Sequence, residues 1–292
     1  MSSKNFIIVP TIQLRYKSLM LYNKFWFDMN YKHVTKNLKY NGSNEKIIYS
    51  GSVTKGVKKR IEKAVDLLLM ISPEKKVINP ITNKFNKFQL TFITLTISDN
   101  LRIYDGKYCN DNLLKPFLRW LKEVKKVKSY LWKLELQERG QPHYHITTNE
   151  FIRYDEICNK WNLLQKGCGM LEDYKQKFGH YNPNSTDIHQ VYKIRNIKSY
   201  LVKYLSKVNK DDKKVNCKVW DCSDNLKGKK YFEFNYDELT NFNFIDFYKH
   251  PKTNFFKNEH CEILTNKQLK TTSILNEKQM KDFNIWFNEI KK

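Results

Sequence analysis

The chain has 292 residues, of which 40% are hydrophobic and 14% aromatic, a composition that excludes a disordered protein. Its 53 lysines and arginines outnumber 30 aspartates and glutamates, for a formal net charge of +23. Such a field attracts polyanions, and we interpret it as pointing to nucleic acid and not merely to a lysine-rich codon bias.

The first part of the chain carries one clear helical pattern. Residues 1–52 are aromatic and basic and contain no motif, although residues 21–31 are compatible with a strand or a recognition surface. A helix is predicted over about residues 53–71, ending before Pro73. Its apolar residues recur at helical spacing: Ile61, Ala64, Val65, Leu68 and Leu69. Its basic end, Lys58, Lys59 and Arg60, is a candidate for phosphate contacts.

Two strands and a helix are predicted next. Residues 88–97 are rich in β-branched and aromatic side chains, as is typical of a strand, and Thr94 and Thr96 share one of its faces. Residues 112–126 carry the apolar stripe of a helix. Residues 130–137 form a second strand, with aromatic and aliphatic side chains on one face and Lys133, Glu135 and Gln137 on the other.

Two histidines then flank one tyrosine in the stretch from Gly140 to Ile146. On a strand that pairs back after the turn at residues 139–142, His143 and His145 point the same way, and side-by-side imidazoles can hold a divalent metal ion. Such a pair also arises by chance among 7 histidines. Glu135 is the preferred third ligand, because Glu138 falls on the wrong face by strict alternation.

The second informative stretch is a helix predicted over residues 194–208. A helix over residues 154–164, a loop over 167–183 and a strand over 186–191 precede it. Beside its apolar stripe, four polar-tipped residues share a second face: Tyr200, Lys203, Tyr204 and Lys207. Taken alone, this pattern is also that of an ordinary basic amphipathic helix with two surface tyrosines.

The remaining sequence is less informative. Residues 220–234 favour a pair of strands, and residues 276–291 favour a final helix. The glycine-rich phosphate loop of nucleotide-driven motors is absent from the sequence, so a helicase activity in this chain is not expected. The longest purely apolar run, residues 67–71, is far too short to span a membrane, and no signal peptide is visible, so we expect a cytoplasmic protein without membrane partners.

Together these features predict a phosphodiester chemistry. A metal ion held by His143, His145 and Glu135 would keep open positions for the oxygens of a phosphodiester, and such mixed nitrogen and oxygen ligands suit Mn²⁺ or Mg²⁺. Tyr200 or Tyr204 is the candidate nucleophile. The neighbouring charges of Lys203 and Lys207 would favour its phenolate.

Three stretches resemble the three motifs of the HUH endonuclease superfamily, in its branch of rolling-circle replication initiators. Residues 92–96 resemble the first motif and residues 139–145 the second, with Glu135 where many members have a strand glutamate. Residues 200–207 resemble the third motif in its two-tyrosine form, which is found in replication proteins of small single-stranded DNA phages and plasmids.

The resemblance implies an α+β fold: a ferredoxin-like or RRM-like antiparallel sheet with helices on one face and the metal site on the other. It implies nicking of single-stranded DNA at an origin, a 5′-phosphotyrosine link and strand rejoining in a bacterial host's cytoplasm. A host helicase and polymerase are the expected partners. DNA contacts are expected from Lys58, Lys59, Arg60, Arg139 and Lys198. On this interpretation residues 53–210 form the endonuclease domain, between an N-terminal extension (1–52) and a C-terminal appendage (211–292) that contacts DNA or a partner.

Two alternatives remain open on the sequence. A two-tyrosine HUH transposase would share the chemistry and differ only in its biological role. A basic, non-enzymatic nucleic-acid-binding protein would carry the two histidines as structural residues and would cleave nothing under any metal ion.

Overall fold

The computed structural model describes residues 6–27, 53–78, 83–190, 197–206, 215–235, 242–266 and 268–292. The fold is α+β, and all paired strands in it are antiparallel. The chain divides into two compact units, one of residues 48–227 with 291–292 and the other of residues 1–47 with 228–290. The first is called the central unit below, and the second the terminal unit.

The strands have the following bounds: β1 Phe6–Arg15, β2 Ser18–Phe27, β3 Lys75–Ile78, β4 Phe85–Phe88, β5 Thr91–Thr96, β6 Tyr130–Leu136, β7 Pro142–Thr148, β8 Thr186–Gln190, β9 Trp220–Cys222, β10 Glu233–Asn235, β11 Thr253–Lys257 and β12 Cys261–Asn266. The α-helices have these bounds: α1 Lys55–Ile71, α2 Gly106–Cys109, α3 Lys115–Glu123, α4 Tyr154–Gly167, α5 Glu172–Phe178, α6 Ile197–Leu205, α7 Phe242–Lys249 and α8 Glu277–Lys291. A π-helical turn, Asn110–Leu114, joins α2 to α3, and a 3-10 turn covers Thr271–Ile274.

The main sheet of the central unit has the strand order β8-β5-β7-β6-β9. Along the chain, β5 is followed by the helices α2 and α3, the hairpin β6–β7, the helices α4 and α5, and then β8. This order of elements, with β5 and β7 in the middle of the sheet, is the ferredoxin-like topology expected from the sequence. Strand β9 is an addition at the edge next to β6.

One face of this sheet carries the main hydrophobic core. The core joins alternate residues of the central strands to the helices that follow β5 and β7, and its fully buried members include Ile93, Leu95, Phe117, Leu134, Tyr144, Ile146 and Trp161. Tyr144 donates a hydrogen bond to Asn110 Oδ1 at 2.9 Å, so its buried hydroxyl is satisfied. Because alternate strand residues point to opposite faces, the side chains between these core residues face the other way.

That opposite face is partly covered by α6, which packs in turn against α1. The contact is made by the rings of Tyr200 and Tyr204, which meet Phe92 of β5. Helix α1 follows the prediction closely and buries the apolar stripe expected from the sequence. The histidine face therefore has a helix of its own, in addition to the helices on the core face.

The terminal unit is built around a second antiparallel sheet, with the strand order β10-β1-β2-β12-β11. Strand β1 pairs with β10 through Thr11 and Asn235, and β2 pairs with β12 through Leu19 and Leu264. The two ends of the chain, which the sequence analysis treated as separate segments, thus share one sheet. Helix α8 contributes Phe283, whose ring contacts Phe232 at 5.4 Å between centroids.

Two element predictions were wrong. Residues 167–183, predicted as a loop, contain α5. The strands in residues 220–234 do not pair with each other, because β9 adds to β6 whereas β10 adds to β1. No helix within the described residues is both long and apolar enough to cross a membrane.

Candidate active site

The hairpin between β6 and β7 sets the geometry of the site. Gly140 has a φ of 89°, a left-handed conformation that favours glycine, and its N–H donates to Gln137 O at 2.7 Å. The resulting register places Glu135 directly opposite His143, and Lys133 opposite His145. Side-chain alternation then brings all four residues to the face opposite the core, as predicted for the two histidines and the glutamate.

Two threonines of β5 hold the histidine pair. Thr96 Oγ1 lies 3.1 Å from His143 Nδ1, and Thr94 Oγ1 lies 3.3 Å from His145 Nδ1. In the tautomer with hydrogen on Nδ1, each ring donates to its threonine and keeps a bare Nε2. Partners of this kind orient metal-binding histidines. The ring centroids of the pair are 4.6 Å apart. The sequence placed Thr94 and Thr96 on one face but did not reveal them as the histidines' partners.

Glu135 is held in its ionised form by two neighbours. Lys133 Nζ donates to Glu135 Oε1 at 2.9 Å, and His145 Nε2 lies 3.6 Å from Glu135 Oε2. Burial alone would raise the pKa of Glu135, but its contacts with His145 and Lys133 lower it to about 2. The carboxylate is therefore charged throughout the physiological range.

Lys133 is the residue of this site that the sequence analysis overlooked. Its side chain is only 2% exposed, and besides Glu135 it reaches the backbone carbonyl of Tyr204 at 3.4 Å. A buried ammonium needs such partners, since an unpaired buried charge is costly. Lys133 thus links the strand that carries Glu135 to the helix that carries the tyrosines. The signal in the sequence was its position two residues before Glu135 on the polar face of the strand.

The donor atoms suit a divalent metal ion in their chemistry. Burial first, and then the neighbouring His145, lowers the pKa of His143 to about 4, so this imidazole is neutral at physiological pH. Metal ligands must be in that state. Two ligand atoms about 2.0–2.2 Å from one ion lie roughly 3–4 Å apart, so the 3.6 Å between His145 Nε2 and Glu135 Oε2 is compatible with a shared ion.

The cluster is not closed around a metal position as it stands. Among the residues that the structure describes, no group of three or more His, Cys, Asp and Glu side chains is arranged to hold a metal ion. Lys133 engages Oε1 of Glu135, so Oε2 is the carboxylate oxygen left for an ion beside the two imidazoles. His143, His145 and Glu135 therefore fit a metal site by charge, protonation and shared face.

Tyr204 is the tyrosine in direct contact with the histidine pair. Its ring meets that of His145 edge to face, with 4.6 Å between centroids, and meets Phe92 at 5.1 Å. Tyr200 lies one turn earlier, 5.8 Å from Tyr204, and contacts Phe92 at 6.3 Å. Burial first, and then the charges of Glu135, Tyr200 and Asp187, raise the pKa of Tyr204. The phenol thus keeps its proton until a substrate or cation arrives.

The predicted basic residues are in different situations. Lys203 is exposed, and Lys207 lies outside the described residues. Lys58, Lys59 and Arg60 are exposed on α1. Arg139 is exposed and is fastened by its guanidinium to Asn100 Oδ1 at 2.5 Å and to the carbonyl of Ile97 at 3.1 Å. The side chains on α1, and Lys203, are therefore the ones presented to a polyanion.

Lys198, predicted to contact DNA, forms an ion pair that ties α6 to α1. Its Nζ lies 2.6 Å from Asp66 Oδ1, and Asp66 is fully buried. Oδ2 of Asp66 has no hydrogen-bond partner within the described part of the chain. The ammonium of Lys198 is therefore the main compensation for a buried carboxylate, and it fixes the first turn of the tyrosine helix.

Replacing Lys198 by alanine is expected to lower the free energy of unfolding by about 3 kcal/mol, because it leaves Asp66 buried without its counter-charge. Urea unfolding followed by fluorescence measures this. Lys58→Ala, at an exposed position of α1, is the matched control and should change stability by less than about 0.5 kcal/mol. The double variant Asp66→Leu/Lys198→Met should recover most of the loss. A Lys198→Ala protein as stable as the wild type would contradict the proposed pairing.

Comparison with known proteins adds a finding for this unit. Residues 90–209 match the model of a protein family whose description is replication-associated protein, of the ORF2 type. The match runs from the start of β5 to the end of α6, so it contains Glu135, both histidines and both tyrosines. No curated protein and no solved structure matches the chain. This central stretch is thus similar to replication-associated proteins.

Proposed function

We propose that the central unit is a replication initiator's nicking and joining domain, which cuts single-stranded DNA with Tyr204 beside a divalent metal ion. The observation that carries the proposal is the contact of the Tyr204 ring with His145, 4.6 Å between centroids, on the face shared with His143 and Glu135. Similarity of residues 90–209 to replication-associated proteins supports the biological role. The net charge of +23 supports a nucleic-acid substrate.

The proposed reaction is a transfer of a phosphoryl group. Tyr204 Oη attacks the phosphorus of the scissile phosphodiester, an O–P bond forms, and the bond from phosphorus to the 3′ oxygen breaks. The phenol's proton is lost and the leaving 3′ oxygen gains one, so the products are a 5′-phosphotyrosine and a 3′-hydroxyl. Because one phosphodiester replaces another, the reverse attack by a 3′-hydroxyl rejoins the strand.

The chain's own residues prepare this step. His143, His145 and Glu135 would hold Mn²⁺ or Mg²⁺, which would polarise the phosphoryl group and stabilise the charge that develops on its oxygens. Lys133 keeps Glu135 ionised and anchors α6 through the Tyr204 carbonyl, so nucleophile and carboxylate are positioned by one buried cation. Lys203, exposed on the same helix, is proposed to contact the DNA phosphates. Lys207 would do the same.

Tyr200 is proposed as the nucleophile of a second cut. It lies one helical turn from Tyr204, with 5.8 Å between their rings. A shift of α6 or of the DNA by about one turn, roughly 5.4 Å, would exchange the two phenols at the scissile phosphate. Two nucleophiles allow a second strand to be cut while the first covalent link persists. A host helicase and polymerase are the proposed partners, and the terminal unit is a proposed surface for them or for origin DNA.

The direct test offers labelled single-stranded DNA carrying the candidate origin to the wild-type protein. With Mn²⁺ or Mg²⁺, a covalent protein–DNA band that survives denaturation is expected, together with a released strand ending in a 3′-hydroxyl. In chelator the band should fall by at least about 100-fold, since the metal ion supplies several kcal/mol of charge stabilisation. A protein that binds the DNA but gives no adduct under any metal ion would instead be a non-enzymatic binder.

A further inference from the structure

A groove of about 780 Å³ opens at the edge of the site, where β5 ends. It is lined by the end of β5, the β6–β7 turn, α5 and the segment before β8, through residues that include Thr96, Arg139, Tyr174 and Asn184. A volume of this size is within the range of ligand-binding pockets. The groove is polar as well as aromatic, which suits a ligand with flat rings and hydrogen-bonding edges.

The groove begins at the candidate active site. Thr96 lines it, and the same threonine contacts His143 Nδ1 at 3.1 Å. A strand whose phosphate lies at the two histidines would therefore place its neighbouring nucleotide next to this groove. No residue assigned above to the chemistry explains why the groove is there.

The walls of the groove are built from buried hydrogen bonds. Trp161 Nε1 donates to the Thr96 carbonyl at 2.8 Å, and the Thr96 N–H donates to the Ser185 carbonyl at 2.8 Å. Asn162, itself buried, donates to the Pro183 carbonyl at 3.0 Å and accepts from the Ser185 hydroxyl at 2.5 Å. Satisfied buried networks of this kind hold one conformation, so the groove is already formed without a ligand.

An aromatic and cationic surface continues from the groove along α5. The Tyr174 ring contacts Phe178 at 4.5 Å between centroids, and Phe178 is 59% exposed to solvent. Next to them, the ammonium groups of Lys166 and Lys175 lie 4.4 and 4.7 Å from the centre of the Tyr181 ring. Exposed rings interleaved with cations are the surface that binds single-stranded nucleic acid through base stacking and phosphate attraction.

From these observations we infer that the groove and the α5 surface bind unpaired bases of the DNA strand next to the scissile phosphate. Tyr174 and Phe178 are the stacking platforms, and Lys166 and Lys175 attract the phosphates of the same strand. The inference rests on the proposed function for its substrate. It adds a place on the protein where the flank of the nick site is held and where preference among bases arises, through the amide of Asn184 beside Tyr174.

The test is a binding measurement in chelator, where no cleavage occurs. Fluorescence anisotropy is recorded with a labelled oligothymidylate of about 12 nucleotides, a length typical of single-strand sites. Phe178→Ala and Tyr174→Ala are each expected to weaken binding about tenfold, because stacking on one base is lost. Phe178→Tyr should keep the affinity, whereas Phe178→Leu, which retains apolar area without a ring, should lose it.

The matched control is Phe85→Ala on β4, which removes another exposed ring, 69% exposed, of the same unit. It should leave binding unchanged, and a blunt duplex should bind all the variants alike. Wild-type binding in Phe178→Ala and Tyr174→Ala, equal losses on duplex, or no oligothymidylate binding by the wild type would overturn the inference. Adduct formation is scored separately. If the wild type forms no adduct while the two alanine variants still lose binding, the proposed function is refuted and the groove stands.

Discussion

Replacing Tyr204 by phenylalanine is expected to reduce the first covalent protein–DNA adduct by at least about 1000-fold, because the nucleophilic oxygen is removed and nothing substitutes for it. Tyr200→Phe should keep the first cut within a few-fold of the wild type. The difference follows from geometry: Tyr204 contacts His145 at 4.6 Å between ring centroids, whereas Tyr200 reaches only Phe92 and Tyr204 itself.

The two substitutions are well matched as controls for each other. Both remove one hydroxyl from the same helix and keep the ring, so the contacts with Phe92 remain in both. On a substrate with two nick sites, Tyr200→Phe should stop after one adduct, and the double variant should form none. Adduct yields measured on denaturing gels decide this. An active Tyr204→Phe protein together with an inactive Tyr200→Phe protein would exchange the proposed roles.

Replacing His143 by alanine is expected to lower adduct formation by about 1000-fold, because one of three proposed metal ligands is lost. The initial rate is to be measured over a range of Mn²⁺ concentrations. Thr96→Val is the finer variant: it keeps the shape of the side chain and removes the hydroxyl that lies 3.1 Å from His143 Nδ1. Loss of such an outer partner should weaken metal affinity by about 10- to 100-fold.

The two variants should differ in how they respond to metal. Excess Mn²⁺ should restore Thr96→Val almost to the wild-type rate, since its ligands are all present. It should not restore His143→Ala. Binding of oligothymidylate in chelator should be unchanged for both, because His143 and Thr96 Oγ1 are proposed to act on the metal and not on the bases. Full activity of His143→Ala in chelator would remove the metal ion from the proposal.

The sequence predicted the faces of the site well because strand alternation is a local rule. Once the hairpin turn at Gly140 is recognised, the register that sets Glu135 opposite His143 follows from counting residues. The ferredoxin-like order of strands and the tyrosine helix were also predicted, with the help of the family resemblance. The local sequence does not encode that α6 lies over His145 or that Lys133 reaches Tyr204, because these contacts join residues distant in the chain.

Two failures have different physical causes. The pairing of β1 with β10 joins residues as far apart as Gln13 and Glu233, and the side chains at this junction form a 2.7 Å hydrogen bond that no local pattern announces. Helix α5 was missed for another reason. It is short, lies in a polar stretch and buries none of its residues, so no apolar period marks it. Its signals were acidic residues in the first turn, lysines in the last and Gly179 after it, with a φ of 78°.

The central claim is that Tyr204 becomes covalently joined to DNA when a divalent ion is present. The most direct measurement is mass spectrometry of peptides from the wild-type adduct, formed with Mn²⁺ on origin single-stranded DNA and trimmed by nuclease. The predicted result is a single nucleotide attached through a 5′-phosphate to Tyr204, and no such peptide from reactions in chelator. Attachment to any residue outside α6, or cleaved DNA with no attached peptide, would contradict the account.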